Sequence, residues 1–313
     1  MIKSNSWRSY WSGKLSGRAI LDLLIELLYL ATVFLIPIYF AYWPSLYNIF
    51  EFAKSALLQI LTSLLLLATG WRLIYYPVKL RLTPSQFFKK YWLVPTIFIT
   101  GLGLLLIASI NPARSFYGLI ERQQGLVSYL FYFIWFILVS FNVLIIDNSY
   151  HLANSTQPLL ADSWERRARR IIITAVLASL VVSVYGILQI LNIDFLSWPE
   201  PPFLTHRTIS SFGQPNFLAS WLLLVIPLSW YLFQTSRKFW WKFFYVLTGL
   251  LQVSCFFFTG SRGGLVALLV GVVIFLTYKL WSWNCSLAKR LVVLLVVVVG
   301  LSGLLLIFNY FSG

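Results

Sequence analysis

Arg207-Thr208-Ile209-Ser210-Ser211-Phe212-Gly213-Gln214-Pro215-Asn216-Phe217-Leu218-Ala219 is a short polar loop that runs into an apolar segment lasting to Phe233. Gly213 permits a tight turn, and Pro215 suits the first turn of a helix, where a missing N–H costs nothing. The pattern predicts a helix that begins near Pro215. Its free N–H groups and the positive end of its dipole would face Arg207 and the hydroxyls of Thr208, Ser210 and Ser211, an arrangement suited to an anion. The plainer reading is a polar linker between two membrane helices. Either way, the segment after Pro215 is long and apolar enough to cross a bilayer.

The rest of the chain has the same character. Of 313 residues, 59% are hydrophobic and 11% charged, and the mean hydropathy is +0.81. Soluble domains lack this profile and polytopic membrane proteins have it. A crossing helix needs about 20 mostly apolar residues. Nine stretches qualify: 20–42, 54–70, 91–109, 125–146, 170–191, 216–234, 240–259, 264–280 and 291–309. The expectation is an all-α polytopic membrane protein, with about nine transmembrane helices in one integral membrane domain covering 1–313. The net charge of +15 does not indicate nucleic acid, because Lys and Arg fall in short clusters between apolar spans. The 14 Trp fit interfacial belts. Cys255 lies in an apolar span and Cys285 in a basic loop, so neither a disulfide nor a metal site is expected.

Orientation follows from the basic residues, which favour the cytoplasmic side. With the N-terminus inside, all but five of the 24 Lys and Arg fall on inner segments. The C-terminus is then outside. The five outer residues are Lys54, Arg114, Arg122, Arg207 and Arg262. Three of these share a setting: Arg122, Arg207 and Arg262 each stand before a helix that runs inward from the outer face. Arg grips phosphate oxygens through two parallel N–H groups, where Lys acts as a point charge. Three such arginines and three helix starts would fit a diphosphate at headgroup level. Snorkelling, or contact with anionic lipid, is the alternative use of an outer arginine.

Three stretches resemble the O-antigen ligase/polymerase family. Arg207 to Ala219 is similar to its "R…S-F-G-N-P-N-F-L-A" signature, with Gln214 where Asn is usual. Thr259-Gly260-Ser261-Arg262-Gly263-Gly264 resembles its "T-x-S-R-G/A" turn. Ser109-Ile110-Asn111-Pro112, Ser115-Phe116-Tyr117-Gly118 and Glu121-Arg122-Gln123-Gln124-Gly125 resemble a third element. The likeness runs from about residue 20 to 308, and the style is that of cyanobacterial members, some of them once described as inorganic-carbon transporters. It implies a GT-C-type glycosyltransferase of the plasma (inner) membrane. Such an enzyme moves or polymerises a glycan from an undecaprenyl-diphosphate carrier onto a lipid A–core or a second glycan acceptor at the outer face. No metal and no other cofactor is implied, because fixed positive groups stabilise the departing diphosphate. On this resemblance Arg207 and Arg262 are the catalytic candidates. Arg122, His206, Ser210, Ser211, Asn216 and Ser261 are candidates for substrate binding, with membrane lipid as surroundings.

The family continues into a large outer loop that bears acceptor-side residues, and the sequence given stops at Gly313. The resemblance therefore implies a chain truncated after the ninth helix, one that binds donor without transferring it. Two rival functions stand beside this reading. A transporter of bicarbonate or another anion would place polar groups or broken helices near the midplane, often in two related halves. A non-catalytic remnant would bind lipid diphosphate only. Asp22 and Glu26, four apart on the first helix, read as a solvated inner cap near Arg18, with a proton relay as the alternative. Asp194 and Glu200 are outer carboxylates that could activate an acceptor.

Overall fold

The computed structural model describes residues 17–41, 49–76, 93–118, 125–145, 164–194, 207–282 and Leu295. Among the described residues every regular element is helical: α1 (Gly17–Ile38), α2 (Glu51–Tyr75), α3 (Leu93–Ile107), α4 (Pro112–Tyr117), α5 (Leu126–Ser140), α6 (Trp164–Ile190), α7 (Pro215–Thr235), α8 (Phe239–Phe258) and α9 (Arg262–Ser282). Among the described residues six helices are long and apolar enough to cross a membrane: α1, α2, Leu126–Leu144, α6, α7 and α8. The chain is an all-α, multi-pass membrane protein. The expected third and eighth spans appear as shorter apolar helices, Thr96–Ile107 and Arg262–Thr277. The expected ninth, 291–309, lies outside the described residues except for Leu295.

Chain packing divides the protein into two compact units, Met1–Ala178 and Ser179–Gly313. In the first, α1 packs along α2 and α2 along α5. Ile25, Tyr29, Leu65, Ala68, Leu138 and Val143 form the core between them.

Polar groups gather at one end of this unit. Asp22 pairs with Arg72, whose side chain is 1% exposed, and lies 3.8 Å from Arg18. Glu26 pairs with Arg170. Asn142 donates to Thr69 Oγ1 at 3.0 Å, and Arg167 donates to the Asn142 carbonyl at 2.6 Å. The reading of Asp22 and Glu26 as a solvated cap is therefore corrected. Their shared face on α1 turns toward α2 and α6, so each carboxylate meets an arginine of another helix. A charge held in apolar surroundings needs such a partner. The contacts also bring the start of α1, the ends of α2 and α5 and the start of α6 together.

In the second unit α7 and α8 form a tight helical hairpin. Ser236 turns the chain, with Oγ donating to the Leu232 carbonyl at 2.6 Å. Deep in the packing, Ser229 Oγ donates to Gln252 Oε1 at 2.9 Å, and Gln252 Nε2 donates to Ser179 Oγ at 2.5 Å. One buried amide thus ties α8 to both α7 and α6. Helix α9 approaches α7 closely, because a Cβ at Gly264 would come within 2.9 Å of the Ala219 Cβ.

Candidate anion site at the arginine turns

The loop before α7 is built by its own residues. Thr208, Ile209, Ser210 and Ser211 are all buried. Ser210 to Phe212 make one 3-10 turn, and Gly213 takes the left-handed backbone conformation with φ 73°. Gln214 then stands at the N-cap position of α7 without a side-chain capping bond, and Pro215 occupies the first turn, as expected from the sequence. Ser210 also has positive φ, 47°, which is costly for a residue with a Cβ. Two hydrogen bonds of its own hold it there, and a third fixes its neighbour Thr208. The Ser210 N–H donates to Gln189 Oε1 at 2.7 Å, and its hydroxyl donates to the Val182 carbonyl at 2.7 Å. Thr208 Oγ1 donates to the same Gln189 oxygen at 3.2 Å.

The Thr259 to Gly264 turn meets this loop directly. Thr208 N–H donates to the Phe258 carbonyl at 3.0 Å. Arg207 Nε donates to the Thr259 carbonyl at 2.8 Å. Gly260 sits beneath the arginine with φ +55°, and a Cβ there would come within 3.2 Å of Arg207 Nε. Glycine suits this position on two counts, the left-handed backbone and the close approach of a side chain. Ser261 caps α9, its Oγ accepting from Gly264 N–H at 3.1 Å. That hydroxyl also donates to Asn216 Oδ1 at 2.8 Å, joining the first turns of α9 and α7.

Two stretches some fifty residues apart in sequence are therefore one structure. Arg207 and Arg262 stand beside a shared turn, each at the entrance to a helix. Among the described residues the hydrogen bond of Arg207 is that of Nε. Arg262 is exposed, and so is Asn216.

No protein-family model, curated protein or solved structure matches the chain.

The structure locates the other expected residues as follows. Ser261 and Asn216 bond each other at the helix starts. Ser210 and Ser211 are buried within the loop, where the Ser210 hydroxyl donates to the Val182 carbonyl. Arg122 and His206 lie outside the described residues. Of the described residues near Arg122 in sequence, Asn111 caps α4 by accepting from Arg114 N–H at 3.1 Å, and Gly118 lies against Gly125, where α5 begins. Asp194 accepts from the Tyr185 hydroxyl at 3.3 Å, and Glu200 lies outside the described residues.

Gln189 is the residue that sequence reading missed. It is 1% exposed and supplies the acceptor for two donors of the arginine loop. A lone Gln in the apolar run Gly186-Ile187-Leu188-Gln189-Ile190 was the available signal, since an amide in a membrane helix needs a partner.

Proposed function

We propose that the turns around Arg207 and Arg262 hold the diphosphate of a polyprenyl-linked glycan at the outer face of the plasma membrane, and that the protein acts in glycan transfer or polymerisation from that carrier. The observation that supports this reading is the meeting of the two arginine turns through Arg207 Nε and the Thr259 carbonyl. An Nε bond of this kind fixes the plane of the guanidinium and leaves its forked end to grip two phosphate oxygens. Arg262, with the first-turn N–H groups of α7 and α9, adds positive potential where charge grows on the leaving diphosphate. Asn216 and Ser261 supply neutral polar groups beside it. The crossing pattern, with nine helices, the N-terminus inside and both arginine turns outside, belongs to the same proposal. The acceptor, lipid A–core or a second glycan, would come from the outer leaflet or beyond it.

The test is glycan transfer in membranes that contain the complete gene product. Arg207→Ala and Arg262→Ala should each abolish transfer while the protein inserts at normal abundance. Lys at either position should restore only part of it, because an ammonium lacks the two-pronged grip. Normal transfer by both Ala variants would remove the proposal.

A further inference from the structure

After Glu200 the sequence holds no Asp or Glu, yet it holds eight Lys and Arg. The counter-charge for the cations of this part of the chain must come from other residues, water ions or a ligand. Three of those cations are exposed at the α7–α8 turn: Arg237 in the connection, Lys238 at the N-cap of α8 and Lys242 in its first turn. Their side chains make no hydrogen bond or ion pair among the described residues. Lys242 Nζ instead sits 5.8 Å from the centre of the Phe233 ring, a cation–π contact worth little without desolvation. Lys238 and Lys242 are one helical turn apart and so share a side of α8.

The surface next to these cations is apolar and bare. Phe239 is 72% exposed, Trp240 78% and Phe243 56%. The stripe continues along α8 through Leu247 and Leu250, which follow Trp240 and Phe243 at helical spacing and are also exposed. A basic tip that leads into a helix-long apolar stripe matches one kind of molecule, a lipid with an anionic headgroup. Basic residues near the membrane surface attract such headgroups, and aromatic rings settle at the same level.

We propose that the α7–α8 turn is a seat for an anionic phospholipid, with its phosphate among Arg237, Lys238 and Lys242 and its acyl chain along Phe243, Leu247 and Leu250. This inference is independent of the glycan-transfer reading, since it concerns the other end of α7.

The experiment is native mass spectrometry of the full chain in detergent, titrated with phosphatidylglycerol or with phosphatidylcholine of the same acyl chains. The wild-type chain should retain phosphatidylglycerol in clear preference. Lys242→Gln, which leaves two charges in place, should lower that affinity about fivefold and leave phosphatidylcholine unchanged. The triple variant R237Q/K238Q/K242Q should bind both lipids equally. Melting temperatures without added lipid identify any variant that fails to fold, and Lys242→Arg should keep the preference. Equal retention of the two lipids by the wild type would overturn the proposal, as would an undiminished preference in the triple variant.

Discussion

Arg207 Nε and the Thr259 carbonyl oxygen lie 2.8 Å apart, and this bond joins two turns that the sequence separates by half a hundred residues. The arginine side chain runs over Gly260, so the bond depends on that residue having no Cβ. Gly260→Ala should therefore act twice, by straining a left-handed backbone at about 1–3 kcal/mol and by displacing the guanidinium. The expected outcome is a lower melting temperature together with weaker binding of a diphosphate lipid. A variant with wild-type stability and binding would show that the turn does not hold the arginine.

Gln189 offers a second test of the same loop. Its Oε1 receives both Ser210 N–H and Thr208 Oγ1, and all three residues are buried. Replacing it by Leu leaves two buried donors without an acceptor, at about 1–3 kcal/mol each. Gln189→Leu should lower thermal stability in detergent and loosen the loop, seen as faster proteolysis near Arg207. Gln189→Glu keeps the acceptor oxygen but adds charge, and should retain the loop better than Leu if acceptance is what matters.

In the first unit the buried Arg72 pairs with Asp22. Asp22→Ala should cost about 3–5 kcal/mol, because it removes the carboxylate that pairs with a buried guanidinium. The double variant Asp22→Leu/Arg72→Leu should recover most of that loss, since an apolar pair of similar size removes the unpaired charge. Thermal melts of the purified variants measure both. A double variant no more stable than Asp22→Ala would mean that the pair does more than satisfy itself.

The crossing pattern is open to labelling. In a background with Cys255 and Cys285 replaced, Ile193→Cys and Thr235→Cys place thiols at opposite ends of the second unit's helices, and both positions are exposed. With the proposed orientation, Ile193→Cys should react with an impermeant thiol reagent in intact cells. Thr235→Cys should react only after lysis. The reverse result would put both arginine turns on the inner face.

Much of this was legible in the sequence because its signals are local. Apolar runs of crossing length, Pro215 at a helix start, and glycines at Gly213 and Gly260 each act within one turn of chain. Among the described residues six of the nine expected spans are helices of crossing length and two are shorter helices, and the left-handed turns stand at Gly213 and Gly260. Other features were not legible because their partners are distant. Ser210 bonds a Gln 21 positions earlier, and Asp22 bonds an Arg 50 positions later. Which face of α1 or α6 turns inward is decided by packing, and periodicity in an almost wholly apolar helix leaves that face undefined. The loop hydroxyls show the same limit. Sequence reading placed the loop hydroxyls before a helix start, and only packing shows that left-handed Ser210 donates its hydroxyl to the backbone of α6.

The central claim is that Arg207 and Arg262 grip one diphosphate. It is tested most directly by the affinity of the purified chain for an undecaprenyl-diphosphate glycan, compared with undecaprenyl monophosphate. The account predicts tighter binding of the diphosphate. It predicts a loss of about 10- to 100-fold for Arg207→Ala and for Arg262→Ala, the scale of a hydrogen bond to a charged group, and partial recovery with Lys. Equal affinity for the two lipids, unchanged by either Ala substitution, would contradict it.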